Sequence, residues 1–201
     1  MRVSDIKQQV KRADRYSIYI DGKYACSFSE SELLKLGLRI GQELTVSEFE
    51  DLKTNAVLDK AYDRSINLIS RRPRSEWELR DYLKRKESEP EVIEATITRL
   101  AERGYVDDSE FARRWVSNRR LLTATSKRRL SQELRQKRVS DDIIDQVLSE
   151  DETDERQVLR ELIERKRKQT KYQDDMKLMQ YLSRQGYNYE DIKAALNKEE
   201  Y

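Results

Sequence analysis

The 201-residue chain contains no histidine and only one cysteine, Cys26. Without histidine, the nucleophile–base pairs that depend on an imidazole cannot form. Without a second cysteine, neither an internal disulfide nor a zinc site of ordinary ligand spacing can be built. The five glycines form no phosphate-binding loop. We therefore expect no metal, no cofactor and no enzymatic activity, and we expect Cys26 to fill a small apolar space.

The sequence also has no apolar run of the roughly 18 residues that would suggest a membrane span. The first residues, Met1-Arg2-Val3-Ser4-Asp5, lack the hydrophobic core of a signal peptide. We expect a soluble, cytoplasmic and monomeric protein that does not contact a membrane.

Apolar material is scarce, because 36% of the residues are hydrophobic and 40% are charged. The mean hydropathy of −0.98 would indicate disorder if the charges were unpatterned. The leucines and isoleucines instead recur at helical spacing, as amphipathic helices require. The pattern predicts a folded chain whose core is shared between thin helical modules.

One apolar pattern occurs three times, with 51 residues from Leu79 to Leu130 and 48 from Leu130 to Leu178. A period near fifty with helical spacing inside each unit is typical of stacked helical modules, most of which bind other molecules. The twelve positions that define the pattern are Leu79, Leu83, Ile93, Ile97, Leu130, Leu134, Ile144, Leu148, Leu178, Leu182, Ile192 and Leu196.

Each repeat is predicted to contain three helices, in a mainly α fold whose repeats form an elongated, curved array. We place the repeats at residues 57–106, 107–151 and 152–201, after an N-terminal unit of residues 1–56. The predicted helices are 61–71, 75–87, 90–103, 109–121, 126–138, 140–149, 153–168, 173–185 and 188–198. Gly186 fits a left-handed helix end, and the equivalent Glu87 and Arg138 would each cost about 1 kcal/mol in that geometry.

The N-terminal unit is predicted to be α+β. Residues 16–28 alternate around Asp21-Gly22, which is a strong signal for a β-hairpin. A short helix from Ser31 to Leu36 would end at Gly37, and residues 38–46 would return to the hairpin in extended form. Ser47 and Glu50 have capping-box spacing and would begin one long helix that reaches Ile69 before Pro73.

The middle repeat has a polarised charge pattern. From Arg113 to Arg138 there are ten basic residues and one acid, Glu133, whereas residues 141–155 hold eight acids and no base. The basic block is suited to a phosphate backbone or an acidic protein groove. The alternative is a solvated helix face, with the acids compensating helix dipoles.

A helical wheel places Arg128, Ser131, Gln132 and Arg135 opposite Leu130 and Leu134, as one outward ridge. The equivalent positions are Trp77, Arg80, Asp81 and Lys84 in the first repeat and Met176, Met179, Gln180 and Ser183 in the third. Trp77 would either stack on a base or anchor a partner, or pack inside the protein.

Two further stretches complete the set of candidates. Trp115 lies on a stripe with Phe111 and Leu122, which predicts core packing. Arg71-Arg72-Pro73-Arg74 is a basic turn before the capping box at Ser75, suited to phosphate beside a helix N-terminus. The candidate contact residues are Arg71, Arg72, Arg74, Trp77, Arg80, Lys84, Arg113, Arg114, Arg119, Arg120, Lys127, Arg128, Arg129, Arg135, Lys137 and Arg138.

Residues 70–86, SRRPRSEWELRDYLKRK, residues 99–115, RLAERGYVDDSEFARRW, and residues 129–137, RLSQELRQK, resemble the RecX family of bacterial recombination regulators. The resemblance covers residues 60–150, continues through the repeat pattern to residue 198, and extends to the hairpin unit of longer members. The chain departs from glycines that are frequent in the family at Thr125-Ser126 and at Arg138.

The resemblance implies three three-helix repeats that lie in the groove of a RecA filament on single-stranded DNA. It implies negative regulation of strand exchange, ATP hydrolysis and the co-protease role in the SOS response, without catalysis. Partners would be the RecA filament and single-stranded DNA, with double-stranded DNA as a further option. The rival hypothesis is a helical nucleic-acid-binding protein that acts without RecA. An enzyme using Asp107-Asp108 has little support, since adjacent acids at a helix start are ordinary capping residues.

Overall fold

The computed structural model describes residues 1–197 and divides the chain into two compact units. Unit 1 comprises residues 1–74 and 78–106, and unit 2 comprises residues 75–77 and the chain from Asp107 onward. The described residues contain ten α-helices, one short 3-10 helix and one three-stranded sheet. None of these helices is both long and apolar enough to cross a membrane.

Unit 1 begins with an antiparallel sheet of strands β1 (Val3–Gln9), β2 (Arg12–Ile20) and β3 (Lys23–Ser29). Asp21 and Gly22 join β2 to β3 with backbone φ angles of 47° and 77°, so the predicted hairpin turn is confirmed. Strand β1 was not predicted. Its seven residues, VSDIKQQ, include only two apolar side chains, too few for a clear alternation.

Helix α1 (Glu30–Leu36) starts one residue earlier than predicted and ends at Gly37, whose φ is 61°. The following segment does return to the sheet, but it pairs with the start of β1 rather than with the hairpin. The amide of Val3 donates to the carbonyl of Gln42 over 2.9 Å, and the amide of Leu44 donates to the carbonyl of Met1 over 2.8 Å.

Helix α2 (Val46–Ile69) is the predicted long helix, and its C-terminal half is the leader helix of the first repeat. Its capping box is formed by Thr45 and Glu48, so the predicted pair of Ser47 and Glu50 is wrong. Two pairs with the same spacing lie two residues apart, and Thr45 is the one with an extended backbone outside the helix. Leu52 packs with Val3, Ile18 and Phe28 of the sheet.

A buried ion pair fastens α2 to the sheet. The Arg15 guanidinium lies 3.1 Å from the Asp59 carboxylate, and both side chains are at most 5% exposed. Asp59 also accepts hydrogen bonds from the backbone amide and the hydroxyl of Ser29. A buried charge needs this density of partners to offset its lost hydration. Nothing in the sequence spacing indicated this pair.

The first repeat is completed by α3 (Glu76–Arg85) and α4 (Pro90–Glu102). The second repeat consists of α5 (Asp108–Leu122), α6 (Lys127–Gln136) and α7 (Asp141–Glu150). The third consists of α8 (Glu155–Arg167), the 3-10 helix Thr170–Tyr172, which was not predicted, α9 (Asp175–Arg184) and α10 (Tyr189–Asn197). Residue 198 of the last predicted helix and residues 198–201 of the predicted third repeat lie outside the described residues.

The twelve positions of the repeat pattern line the repeat cores. In the middle repeat Leu130, Leu134 and Ile144 are fully buried, and in the third repeat the same is true of Leu178, Leu182 and Ile192. The predicted three-helix repeats and the mainly α fold class are therefore confirmed.

The second helix of every repeat ends in the same left-handed turn. Glu87, Arg138 and Gly186 have φ angles of 57°, 57° and 91°. The residue after each turn bonds back to the last buried leucine of the helix, with N–O distances of 3.2, 3.2 and 3.3 Å. This is the Schellman pattern. Glu87 and Arg138 thus adopt a conformation that glycine accommodates at lower cost.

Candidate binding surface

The sixteen candidate side chains lie on three helices, one loop and one turn. Arg71, Arg72 and Arg74 are in the loop between α2 and α3, and Trp77, Arg80 and Lys84 are on α3. The remaining ten are on α5, on α6 and in the turn that ends α6, namely Arg113, Arg114, Arg119, Arg120, Lys127, Arg128, Arg129, Arg135, Lys137 and Arg138.

The predicted ridge on α6 is present. Arg128, Gln132 and Arg135 are exposed, whereas Leu130 and Leu134 on the opposite face are fully buried. Arg135 donates to Asp141 over 2.7 Å, and this hydrogen bond raises the pKa of the guanidinium. Arg128 has no ion pair within the part of the chain that the structure describes. The positive charge of Arg128 is therefore available to a binding partner.

The equivalent ridge on α3 carries an accessible tryptophan. Trp77 is 42% exposed, so complete burial of its ring is excluded. Lys84 is exposed as well, while Arg80 is engaged by Glu94 of α4. An exposed indole is a type of side chain that partners use as an anchor.

Most arginines of α5 are held by carboxylates. Arg113 pairs with Glu150 at 3.0 Å, and Arg114 pairs with Glu110 at 2.7 Å. Glu133 accepts from Arg119 at 2.8 Å and lies 3.4 Å from Arg129. The acidic stretch of residues 141–155 supplies one of these partners, Glu150, and also Asp141 for Arg135, so it serves ion pairs as well as first helical turns.

Arg120 and Lys127 lie at the joint between the second and third repeats. The Arg120 guanidinium is 11% exposed and pairs with Asp151 at 2.6 Å. The Lys127 ammonium donates to the carbonyl of Asp151 over 2.7 Å. Burial alone would raise the pKa of Asp151, but the Thr153 hydroxyl and the Arg120 guanidinium outweigh it and lower that pKa. The Arg120 guanidinium also lies 3.8 Å from Glu155, and the backbone amide of Lys127 donates to the same carboxylate, so both residues contact the first helix of the third repeat.

The basic turn before α3 contains one bonded and one half-buried arginine. Arg72 makes a two-point contact with Glu78, with N–O distances of 3.1 and 2.9 Å. The Nε of Arg74 is buried and has no hydrogen-bond acceptor among the described residues. Burial and the nearby Arg72 lower the pKa of Arg74. A buried N–H without an acceptor is costly, which favours an anion at this turn.

Trp115 is half-buried and packs against the core of the second repeat, as predicted, but Leu122 of the same predicted stripe is 77% exposed, so that part of the prediction is wrong. Its ring lies 5.8 Å from that of Phe111, and its indole N–H donates to Glu133 over 2.9 Å. The Arg119 guanidinium and the Lys137 ammonium lie 5.0 and 5.4 Å from the ring centre. These cation–π contacts position both side chains on the repeat that carries the tryptophan.

The joint contains a pair of hydrogen bonds, made by Ser126 and by the backbone amide after it. An equivalent pair is made by Ser75 and the amide after it, at the start of α3. The Ser126 hydroxyl donates to the Gln185 carbonyl over 3.0 Å, and the Ser75 hydroxyl donates to the Lys137 carbonyl over 2.9 Å. The backbone amide after each serine donates to an acid, Glu155 for Lys127 and Asp108 for Glu76. The spacing of 51 residues between the two serines was the sequence signal for this equivalence.

Sequence reasoning missed one feature near the joint. Arg184 and Tyr189, which belonged to no candidate set, line a groove of about 600 Å³ together with Arg128 and Arg129. They are separated from α6 by about fifty residues in sequence, so only the packing of the third repeat on the second brings them together. The predicted residues Arg128 and Arg129 thus form one side of a groove whose other side belongs to the third repeat.

A small antiparallel sheet followed by tandem three-helix repeats defines a modular helical-repeat protein. Four family models match the chain in order: the regulatory protein RecX N-terminal domain at residues 1–45 and the RecX first, second and third three-helix domains at 61–100, 107–148 and 153–196. The chain belongs to the RecX family of regulatory proteins.

Curated relatives agree with this assignment. The regulatory protein RecX of Listeria welshimeri is 41% identical over 112 residues, which are 56% of this chain and 42% of that protein. That of Bacillus subtilis is 35% identical over 118 residues, 59% of this chain and 45% of that protein. The matched segment spans less than half the length of these relatives.

Solved structures have the same fold. A crystal structure of regulatory protein RecX has a TM-score of 0.71 and 27% identity, and the match covers 98% of both chains. RecX from Lactobacillus salivarius has a TM-score of 0.60 at 20% identity, covering 71% of this chain and 96% of that one. The second likeness concerns the fold alone.

Proposed function

We propose that this protein is a negative modulator of the RecA recombinase. It binds in the groove of the RecA–DNA filament and restrains strand exchange, ATP hydrolysis and the co-protease activity of the SOS response. It acts by binding, without catalysis, cofactor or metal. Membership of the RecX family supports this proposal, and so does the exposed cationic face of α6.

The α6 ridge is the observation that supports this function best. The two leucines of α6 are completely buried, which fixes the helix rotation and holds Arg128, Gln132 and Arg135 outward. A face fixed by its own core changes little on binding, so less entropy is lost when a partner docks. Arginine is favoured there because its planar fork can contact two acceptors of a carboxylate or phosphate.

Competition accounts for the inhibition. A helical module in the filament groove excludes a second DNA strand or a repressor substrate from the same space. Preferential binding to one filament state shifts the equilibrium toward that state, by an amount set by the difference in affinity. The repeats supply several small contact areas in one chain, and their affinities combine through high effective concentration.

The experiment measures RecA-driven ATP hydrolysis on single-stranded DNA as this protein is added. We expect R128E/R135E/R138E to abolish the inhibition, because three cations of one surface change sign. The control is R156E/R160E/R165E, which makes the same charge change at three exposed positions of α8. Full inhibition by the first variant, or equal loss in both, would refute the proposed surface.

The rival function, nucleic-acid binding without RecA, draws support from the half-buried Arg74, whose Nε lacks an acceptor among the described residues. Salt dependence separates the two hypotheses. Phosphate-driven binding to single strands weakens with a slope of about −0.7 per phosphate in a log–log plot against salt. Additional binding that needs RecA and depends less steeply on salt favours the filament hypothesis, whether or not the protein also binds free single strands.

A further inference from the structure

The groove between α6 and the turn joining α9 to α10 has a lining rich in hydrogen-bond donors. Its volume is about 600 Å³, and none of the described residues that line it is acidic. The lining includes three guanidinium groups and three carboxamide groups, from Arg128, Arg129, Gln132, Arg184, Gln185 and Asn188. A concave surface with many donors and no carboxylate suits a ligand that carries negative charge and several acceptors.

Two of the arginines are available to such a ligand. Arg128 and Arg184 are exposed, and neither has a carboxylate partner within residues 1–197. Arg129 lies 3.4 Å from Glu133 and so has part of its charge offset. The groove also includes the first residues of α6 and of α10, where the helix dipoles are positive, and the last residues of α9, where the dipole is negative, so the arginines supply its positive charge.

An exposed aromatic side chain in the groove favours a nucleic acid over a simple anion as the ligand. Tyr189 lines the groove and is 60% exposed. A phosphate or carboxylate alone has no need of an exposed ring, whereas an unpaired base stacks on it regardless of sequence. Carboxamides beside the ring can bond to base edges.

The packing of the turn makes this shape rigid. Gly186 has a φ of 91°, and a Cβ at this position would lie 2.8 Å from the Arg129 Cβ. The Ser126 hydroxyl is bonded to the Gln185 carbonyl directly beneath the groove. The arginines of α6 and the tyrosine of α10 are thereby held on one surface of unit 2.

From these observations we propose that this groove is a binding site for single-stranded nucleic acid. Arg128 and Arg184 contact neighbouring phosphates, and Tyr189 stacks on an unpaired base. The site overlaps the α6 ridge at Arg128 and Gln132 and extends it onto the third repeat. The inference rests on the proposed function, because both place this protein on single-stranded DNA. Binding of DNA in the groove nevertheless requires no contact with RecA.

The test is equilibrium binding of the full chain to a fluorescent oligo-dT, measured by anisotropy over a series of salt concentrations and without RecA. R128A/R184A is expected to weaken binding about tenfold and to reduce the log–log salt slope by about 1.4, which corresponds to two lost phosphate contacts. The matched control R156A/R160A, on α8, should leave both quantities unchanged. No binding by the wild type, or equal effects in both variants, overturns the proposal.

Two further measurements address the class of ligand. Y189A should weaken binding about tenfold and Y189F should not, because the ring provides the stacking surface. A fully paired duplex and a poly-glutamate peptide of equal charge should both compete poorly. Wild-type affinity in Y189A, or equal competition by either probe, overturns the assignment to single strands.

The experiments distinguish failure of the groove proposal from failure of the proposed function. R128A/R184A and Y189A are also assayed for inhibition of RecA-driven ATP hydrolysis. If R128E/R135E/R138E loses that inhibition while oligo-dT binding never depends on the groove, the groove proposal falls and the filament proposal stands. Thermal melting followed by circular dichroism verifies that each variant folds, as expected for exposed side chains.

Discussion

The hydroxyl of Ser126 donates a hydrogen bond to the carbonyl of Gln185 over 3.0 Å, although 59 residues separate them in sequence. The same hydroxyl accepts from the Arg129 amide at 3.1 Å and so caps α6. Ser126 is 2% exposed, and one small side chain therefore serves both a helix end and the contact between two repeats. This bond is one of the contacts between the second and third repeats, and three predictions concern that joint.

Replacing Ser126 by alanine removes both bonds. We expect the free energy of unfolding to fall by about 2 kcal/mol, since the lost cap and the lost hydroxyl bond to the half-buried Gln185 carbonyl each cost about 1 kcal/mol, while the longer bond from the backbone amide of residue 126 to that carbonyl remains. Urea denaturation measures the change. Ser117→Ala, at an exposed position inside α5, is the control and should change stability by less than about 0.5 kcal/mol. Equal stabilities of the two variants would contradict the role of the joint.

Gly186→Ala should destabilise the protein more than Gly104→Ala, although both residues have positive φ angles, 91° and 69°. At position 186 the added methyl group would overlap Ser126 and Arg129, whereas at position 104 it meets nothing within 4 Å. We expect about 1 kcal/mol for the backbone change alone and about 1 to 3 kcal/mol more where the overlap occurs. Denaturation midpoints of the pair measure the difference, and a reversed order would be inconsistent with the packing.

Glycine should stabilise the other two left-handed turns. Glu87→Gly and Arg138→Gly relieve a φ of 57° that a side chain adopts at a cost of about 1 kcal/mol, partly offset by the greater freedom of glycine when unfolded. We expect a gain of about 0.5 kcal/mol each. Glu161→Gly, inside α8, is the control and should lose about 1 kcal/mol. Calorimetry measures the melting temperature of each variant. A lower melting temperature in all three variants would show that glycine does not relieve strain at positions 87 and 138.

The Arg120–Asp151 pair predicts a dependence on pH. Because the folded state lowers the pKa of Asp151, the pair stabilises the protein above the unfolded pKa near 4. That contribution is lost as the pH falls through the folded pKa. Asp151→Asn should therefore cost about 2 kcal/mol at pH 7 and progressively less at acidic pH. Urea titrations of both proteins from pH 7 to pH 3 measure the difference.

The control for this prediction is Asp142→Asn, at an exposed acid of α7 that has no ion pair among the described residues. Its effect should be small at every pH in the series. A constant difference between wild type and Asp151→Asn from pH 7 to pH 3 would mean that the Asp151 charge does not stabilise the joint.

Much of the architecture was predictable from the sequence because its signals are local. Leu130 and Leu134 lie one helical turn apart, and such a pair buries one face wherever a helix forms. Asp21-Gly22 specified the hairpin because few residue pairs accept two positive φ angles. Strand β1 was missed because its short, polar sequence becomes a strand only when β2 is available as a partner.

The candidate surface was predictable only in part. The sequence placed Arg128 and Arg135 on an outward ridge, which requires only the rotation of one helix. It did not distinguish Arg128, which is exposed, from Arg120, whose guanidinium pairs with Asp151 and is 11% exposed. That distinction depends on which distant residues the packed helices bring to each side chain.

The sequence alone thus determined the number of repeats, their helices and the buried leucine face of each. Tertiary structure decided the buried Arg15–Asp59 pair, the Ser126–Gln185 joint and the meeting of Arg184 and Tyr189 with α6. The physical reason is one of range. Helix periodicity and turn geometry act over a few residues, whereas charge pairing and groove formation depend on which distant surfaces the packed repeats bring into contact.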